Sequence, residues 1–238
     1  MYIVKETMAS NNILLAKNLN TDSITFEPVR KNALGGNVVY LKYDGNPRLV
    51  LQTPIVSAPF GLSTYTDEKT GAVKYSLDMS FRGMEMDAKI KDLHDKMNQI
   101  DEMLIAEGVK NSKDWFGKKL SKEVVENFYR PLVKPSKDPE KYAPTMKFKI
   151  MSQRDGSIAL DAYNHEKKKV DIMEGLVAGS KVQCLLECNS IWFVGKNMYG
   201  ISWKLVQVKI TKSDKISGFS FLEDSDNEEE NEQENEED

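Results

Sequence analysis

The sequence predicts a mainly β chain with a helical insertion (α+β), its strands closing into a small barrel. Two long β-rich runs near the C-terminus, a helix-period stripe confined to the middle, and a change of phase within the last run point there. Val182, Cys184, Leu186 and Cys188 alternate with Lys181, Gln183 and Glu187, the period of two of a strand with one buried face. Ile191 to Val194 comes next, then the turn residues Gly195, Lys196 and Asn197, then a run from Met198 to Ile210, so the stretch reads as a meander. In that last run Tyr199, Ile201, Trp203 and Leu205 are apolar at odd positions and Val206, Val208 and Ile210 at even ones. Such a switch marks a bulge or a bend, which small closed barrels require.

The N-terminal and central elements obey the same logic. Residues 1–25 carry weak periodicity and many asparagines, Ser23 to Glu27 suits a short strand, and Asn37 to Tyr43 a clearer one. Asp44-Gly45-Asn46-Pro47 is a strong turn signal before Arg48 to Thr53, which predicts a hairpin. Pro54, Pro59 and Gly61 then interrupt the ladder and leave a loop that presents Phe60. Lys69-Thr70-Gly71 turns the chain into Val73 to Phe81, whose odd positions are expected to face the core. Met86, Ile90, Leu93, Met97, Ile100 and Leu104 recur at intervals of four and three up to Gly108, which predicts an amphipathic helix ended by that glycine. Residues 111–116 and 122–129 suit two shorter helices, so the insertion spans about 84–131. Strands resume at Thr145, and Asp155-Gly156 predicts a second hairpin into residues 157–163, with the basic cluster His165 to Lys169 just beyond it.

The net charge of −4 hides an asymmetry. Residues 222–238 hold eleven of the 37 acidic residues and no basic ones, so the preceding chain carries 26 acidic against 33 basic and is net +7. The expected organisation is one domain over 1–221 and an acidic tail over 222–238 that lacks the apolar surface to order itself. No run approaches the ~20 apolar residues that span a bilayer, and residues 1–12 do not resemble a signal peptide, so neither membrane insertion nor secretion is expected. Cys184 and Cys188 share one strand face at a spacing that separates their Cα atoms by about 13 Å, too far for a disulfide. Reduced core thiols fit better than a zinc site completed by His94 and His165, so no metal or other cofactor is expected. Phosphate-binding glycine loops, dinucleotide fingerprints, nucleophile elbows and paired-histidine metal motifs are all missing from the sequence, which points to a binding protein without catalytic residues.

The candidate nucleic-acid-binding residues are Arg48, Phe60, Lys147, Lys149, Tyr163, Trp192, Phe193, Lys196, Tyr199, Trp203 and Lys204. Aromatic rings stack on bases and lysines pair with phosphates, which together make a single-strand platform. The alternative for each aromatic is a place in the core, and Trp192 and Phe193 cannot share a face of a regular strand.

Leu51-Gln-Thr-Pro, Ala58-Pro-Phe-Gly, Ser190-Ile-Trp-Phe-Val and the run from Tyr199 to Val208 occur in that order ahead of the acidic terminus. This pattern, over most of residues 37–238, resembles the single-stranded DNA-binding proteins of nucleocytoplasmic large DNA viruses, a group similar to the replication SSB of short-tailed bacteriophages. The resemblance implies an OB-fold, a five-stranded partly open barrel that coats ssDNA in replication, recombination or repair. It further implies an acidic tail that competes with DNA and contacts replication proteins, and a location in the cytoplasm or viral factory of an infected cell, with the nucleus and the oligomeric state left open. In the phage proteins the tail ends in an aromatic residue, whereas this chain ends Glu-Glu-Asp. Its candidate partner-binding residues are therefore Phe219 and Phe221 at the tail's root with Glu223, Asp224, Asp226, Glu228, Glu229 and Glu230.

Overall fold

In a computed structural model, the structure describes residues 13–153 and 156–211. The acidic tail with Phe219 and Phe221, residues 1–12 and Asp155 lie outside these described residues. The organising element is a strand of fifteen residues, β11 (Ser180–Val194), which pairs antiparallel with β12 (Met198–Thr211) across the turn at Gly195. Sequence alternation forms both strands, and their inward residues Val182, Cys184, Leu186, Cys188, Trp203, Leu205 and Val208 are buried. The change of phase is a bulge: Leu185 opposes Gln207 while Leu186 opposes Leu205, so Val206 is the extra residue. A second bulge at Asn189 keeps β11 continuous through a point that the sequence marks as a break.

The predicted hairpin around Asp44 to Pro47 is not formed. Strand β4 (Asn37–Tyr43) pairs with β11 at Ser190 to Trp192, and β5 (Leu49–Gln52) pairs with β11 at Leu185 to Cys188. The two therefore lie end to end along one edge, and β6 (Val56–Ala58) continues the line against Ser180 to Val182. The turn exists, with Asp44 at φ 46°, but it returns the chain to its own line, because Val38 and Leu49 both find their apolar surroundings on β11. Short strands β1 (Ile13–Leu15) and β2 (Ile24–Phe26) flank β5 and β4, and β3 (Arg30–Lys31) pairs with the start of β4.

Hairpin β7 (Leu62–Thr66) to β8 (Val73–Ser80) forms where Lys69-Thr70-Gly71 predicts it. Strand β8 pairs with β9 (Thr145–Ile150), β9 runs parallel to β12, and β6 meets β8, so five members close a ring: β11, β6, β8, β9, β12. With β4 to β6 counted as the first strand, this Greek-key order is that of an OB-fold. Two of its seams are narrow, resting on Ser57 against Ser80 and on Lys149 against Lys204. Strand β10 (Asp161–Tyr163) adds to the outer edge of β12 after a tight turn in which Gly156 donates to Gln153.

The insertion comprises α1 (Ala88–Lys110), α2 (Ser112–Phe116) and α3 (Lys122–Phe128), with a one-turn α4 (Ile172–Gly175) before β11. Helix α1 starts at Asp87, whose carboxylate caps Lys89 N, and buries Ile90, Leu93, Met97, Ile100 and Leu104 as their spacing predicts. Met86 precedes the helix and is exposed, so it is not part of the stripe. Gly108 does not end the helix. It sits inside α1 because a methyl group there would lie 2.5 Å from the Tyr199 hydroxyl and 2.8 Å from Val125.

Candidate nucleic-acid interface

The interior of the barrel fixes what lies outside it. Leu77 and Met79 on β8, Met146, Phe148 and Ile150 on β9, and Trp203 and Leu205 on β12 point inward. Ser76, Asp78, Lys147, Lys149 and Lys204 must therefore point outward. Register brings them together. Ser76 opposes Lys149, Asp78 opposes Lys147, Lys149 lies beside Lys204, and Lys204 opposes Glu187 on β11. Tyr65 opposes Lys74 and belongs to the same face, 62% exposed, with the Lys74 ammonium 5.9 Å from its ring centre.

Carboxylates hold three cations of this face: Lys147 to Asp78 at 3.3 Å, Lys74 to Asp67 at 2.9 Å and Arg48 to Glu187 at 2.5 Å. Lys149 and Lys204 have no ion pair among the described residues although they are neighbours in register. Two ammonium groups on adjacent strands repel one another, and an anion lying across both would relieve that repulsion.

The sequence-derived basic residues Arg48, Lys147, Lys149 and Lys204 thus converge on one surface, but the aromatics do not. Tyr199 is completely buried, its hydroxyl donating to Leu104 O at 3.2 Å, and burial pushes that hydroxyl's pKa up. Trp203 is 8% exposed inside the barrel, and its indole Nε1 lacks a partner among the described residues. Phe193 is half-buried, edge-on to Trp115 at 5.5 Å and stacked on Tyr199. Trp192 is half-buried against Gly200 and donates to Ile201 O at 3.3 Å. Tyr199 thus packs inside because α1 and α2 cover the end of the β11 and β12 hairpin, Trp203 because its parity is inward, and Phe193 packs against Trp115 and Tyr199 while staying partly accessible. Phe60 and Lys196 are exposed but sit toward opposite ends of β11, and Tyr163 is half-buried on β10 beside Lys169. Tyr65 is an exposed ring on this face that sequence reasoning did not single out; its signal was the Lys69-Thr70-Gly71 turn, which sets it opposite Lys74.

A groove of about 780 Å³ lies elsewhere, between β2 and the end of α1, with Phe26, Val29 and Met103 along it and Asp22, Glu27, Glu107 and Asp114 at its margin. Carboxylates there disfavour phosphate. No group of three or more His, Cys, Asp or Glu residues among the described residues is placed to hold a metal, and no described helix is long and apolar enough to cross a membrane. Cys184 is buried and its thiol is pushed up to about 12 by desolvation, which keeps it protonated and inert.

The fold and this surface define an OB-fold protein with an outward cationic face. Residues 75–222 match the model of a Family of unknown function (DUF5871), and the chain belongs to that family. No curated protein matches it. Among solved structures it is similar to the single-stranded DNA-binding protein from bacteriophage Enc34 in complex with ssDNA, with 17% identity, a TM-score of 0.43, and 80% of this chain and 98% of that one covered. It is likewise similar to gp2.5, a single-stranded DNA binding protein encoded by bacteriophage T7, with 16% identity, a TM-score of 0.45, and coverage of 74% and 98%.

Proposed function

We propose that this chain is a non-catalytic single-stranded DNA-binding protein that coats and protects ssDNA during viral DNA replication, recombination or repair. The observation that carries the reading is the outward pair Lys149 and Lys204, free of carboxylate partners among the described residues and set on the same face as the exposed ring of Tyr65. Ammonium groups supply sequence-independent attraction to phosphate, and an exposed ring accepts any base that is not already stacked in a duplex. The assignment to viral replication in the cytoplasm or viral factory rests on the ordered sequence motifs and the acidic terminus. Fluorescence anisotropy with labelled oligo-dT and with duplex of equal length tests the reading: tighter binding to the single strand is expected, and equal affinity for both would overturn it. Tyr65→Ala should cost roughly 1–3 kcal/mol of ssDNA binding without loss of fold.

The eleven carboxylates of residues 222–238 are covalently tethered to a basic body, at an effective concentration on the order of millimolar. They compete with DNA for the cationic face and present acidic groups to replication proteins. Truncation after Phe221 should tighten ssDNA binding most at low salt, where the Debye length exceeds ~10 Å. Unchanged affinity at low salt would leave the tail no competitor role. The same tail supports a second reading, a structural or chaperone-like protein that captures basic partners, for which no preference for ssDNA is expected.

A further inference from the structure

We propose that Asp78, Glu187 and Asp67 are built-in competitors of the DNA backbone, each holding one cation of the face until a phosphate displaces it, while Lys149 and Lys204 make the first contact. This inference rests on the ssDNA-binding reading and divides its cationic face into two tiers.

The geometry of the three pairs is consistent. The carboxylates of Asp78 and Glu187 are each 13% exposed and that of Asp67 is 26% exposed, whereas their partners Lys147, Arg48 and Lys74 are 45%, 63% and 62% exposed. The anion is short and rooted in the surface, and the cation reaches over it on a long stem. Asp67 illustrates how firmly such an anion is held: the hydrogen bond from the Lys74 ammonium, aided by Thr70 and Lys69, brings its carboxyl down to about 2, so it stays charged at any working pH. Exposed pairs of this kind add little to stability, so the fold gains little from three of them on one face.

Their effect on a polyanion is larger. When a free lysine meets a phosphate, the counterion condensed on DNA is released, which gives a salt slope of about −0.7 per contact for single strands. When a held cation turns to a phosphate, its carboxylate is left uncovered and takes up a cation from solution. The released and captured ions then offset one another. Arg48, Lys147 and Lys74 should accordingly contribute little to the salt slope, and almost all of the slope from this face should come from Lys149 and Lys204.

The test uses the full chain with labelled oligo-dT across a salt series. Asp78→Asn with Glu187→Gln keeps side-chain shape and frees Lys147 and Arg48, so the slope should steepen by about 1.4 and affinity at 0.1 M salt should rise about 25-fold. Wild-type slope and affinity in that variant would overturn the competitor role. Lys147→Ala, made in the wild-type background, provides the second measurement and decides the matter if the first variant does not fold; Arg48→Ala is unsuitable, because it would leave Glu187 free to hold Lys204, which it opposes in register. Lys147→Ala should leave the slope nearly unchanged, and a loss near the full ~0.7 of one contact would overturn the two tiers. Wild-type protein that binds while these variants contradict expectation sinks this inference alone. Wild-type protein that does not bind oligo-dT removes the ssDNA reading and this inference with it.

Discussion

Lys149→Ala combined with Lys204→Ala should weaken oligo-dT binding by about 25-fold at 0.1 M salt and flatten the salt slope by about 1.4. The magnitude comes from two contacts, each worth about 0.7 of a decade for every tenfold step in salt below 1 M. Both side chains point outward between buried neighbours, Phe148 and Ile150 on β9 and Trp203 and Leu205 on β12, so their truncation leaves the core intact. Circular dichroism and melting should therefore match wild type. Near wild-type affinity in the double variant, with the fold intact, would move the DNA path off the β8, β9 and β12 face.

Asp101→Ala should destabilise the protein by about 3–4 kcal/mol in urea unfolding. Asp101 lies within α1 yet is buried, and its carboxylate accepts from the Tyr129 hydroxyl at 2.6 Å, from Leu132 N at 3.0 Å and from Val133 N at 3.5 Å. It fastens the link between α3 and β9, a link that also meets the barrel where Arg130 N donates to Tyr199 O at 2.9 Å. Alanine would strand those donors away from water and leave a void. Burial raises the Asp101 carboxyl above its ordinary value of 3.8, while its hydrogen bonds pull the other way. A carboxyl raised by folding holds its proton more tightly in the folded than in the unfolded chain, so its contribution is greatest below 3.8 and declines as pH rises through the folded value. Asp101→Asn does not titrate. Its stability relative to wild type should improve as pH rises from 3 to 7, and a constant difference would show that the carboxyl is not raised.

Legibility from sequence depended on whether a residue's environment is set by its near neighbours. Alternation in β8, β9, β11 and β12 and the α1 stripe are local patterns, and they placed those strands, the Val206 bulge and the helical insertion, whereas the barrel member β6 lies in a stretch that Pro54, Pro59 and Gly61 mark as a loop. The end-to-end alignment of β4 and β5 was not legible, because Asp44-Gly45-Asn46-Pro47 describes a turn and not the distant strand on which β5 comes to rest. Outward lysines could be read from parity alone. Tyr199 could not, since its burial comes from Leu104, Gly108 and Phe116 of the insertion. Asp101 was hidden for the same reason: on its own helix it is one more acid, and only the returning Tyr129 to Val133 segment makes it a buried acceptor.

The long strand β11 has a consequence for how the chain is made. Arg48 and Glu187, which meet across the β5 and β11 ladder, are 139 residues apart in sequence, so β4, β5 and β6 leave the ribosome well before the strand they lie along exists. At a synthesis rate of roughly 5–20 residues per second, the wait between β6 and β11 is on the order of 6–25 seconds, against microseconds for a local hairpin. Through that interval Val39, Leu49, Leu51 and Val56, all buried in the finished protein, lack the strand that receives them. Meanwhile β7 with β8, and α1 with α3, have partners close at hand in the emerging chain. Nascent chains halted before Ser180 should therefore hold a formed insertion beside open apolar edges, and a holding chaperone would find its binding site in residues 37–58.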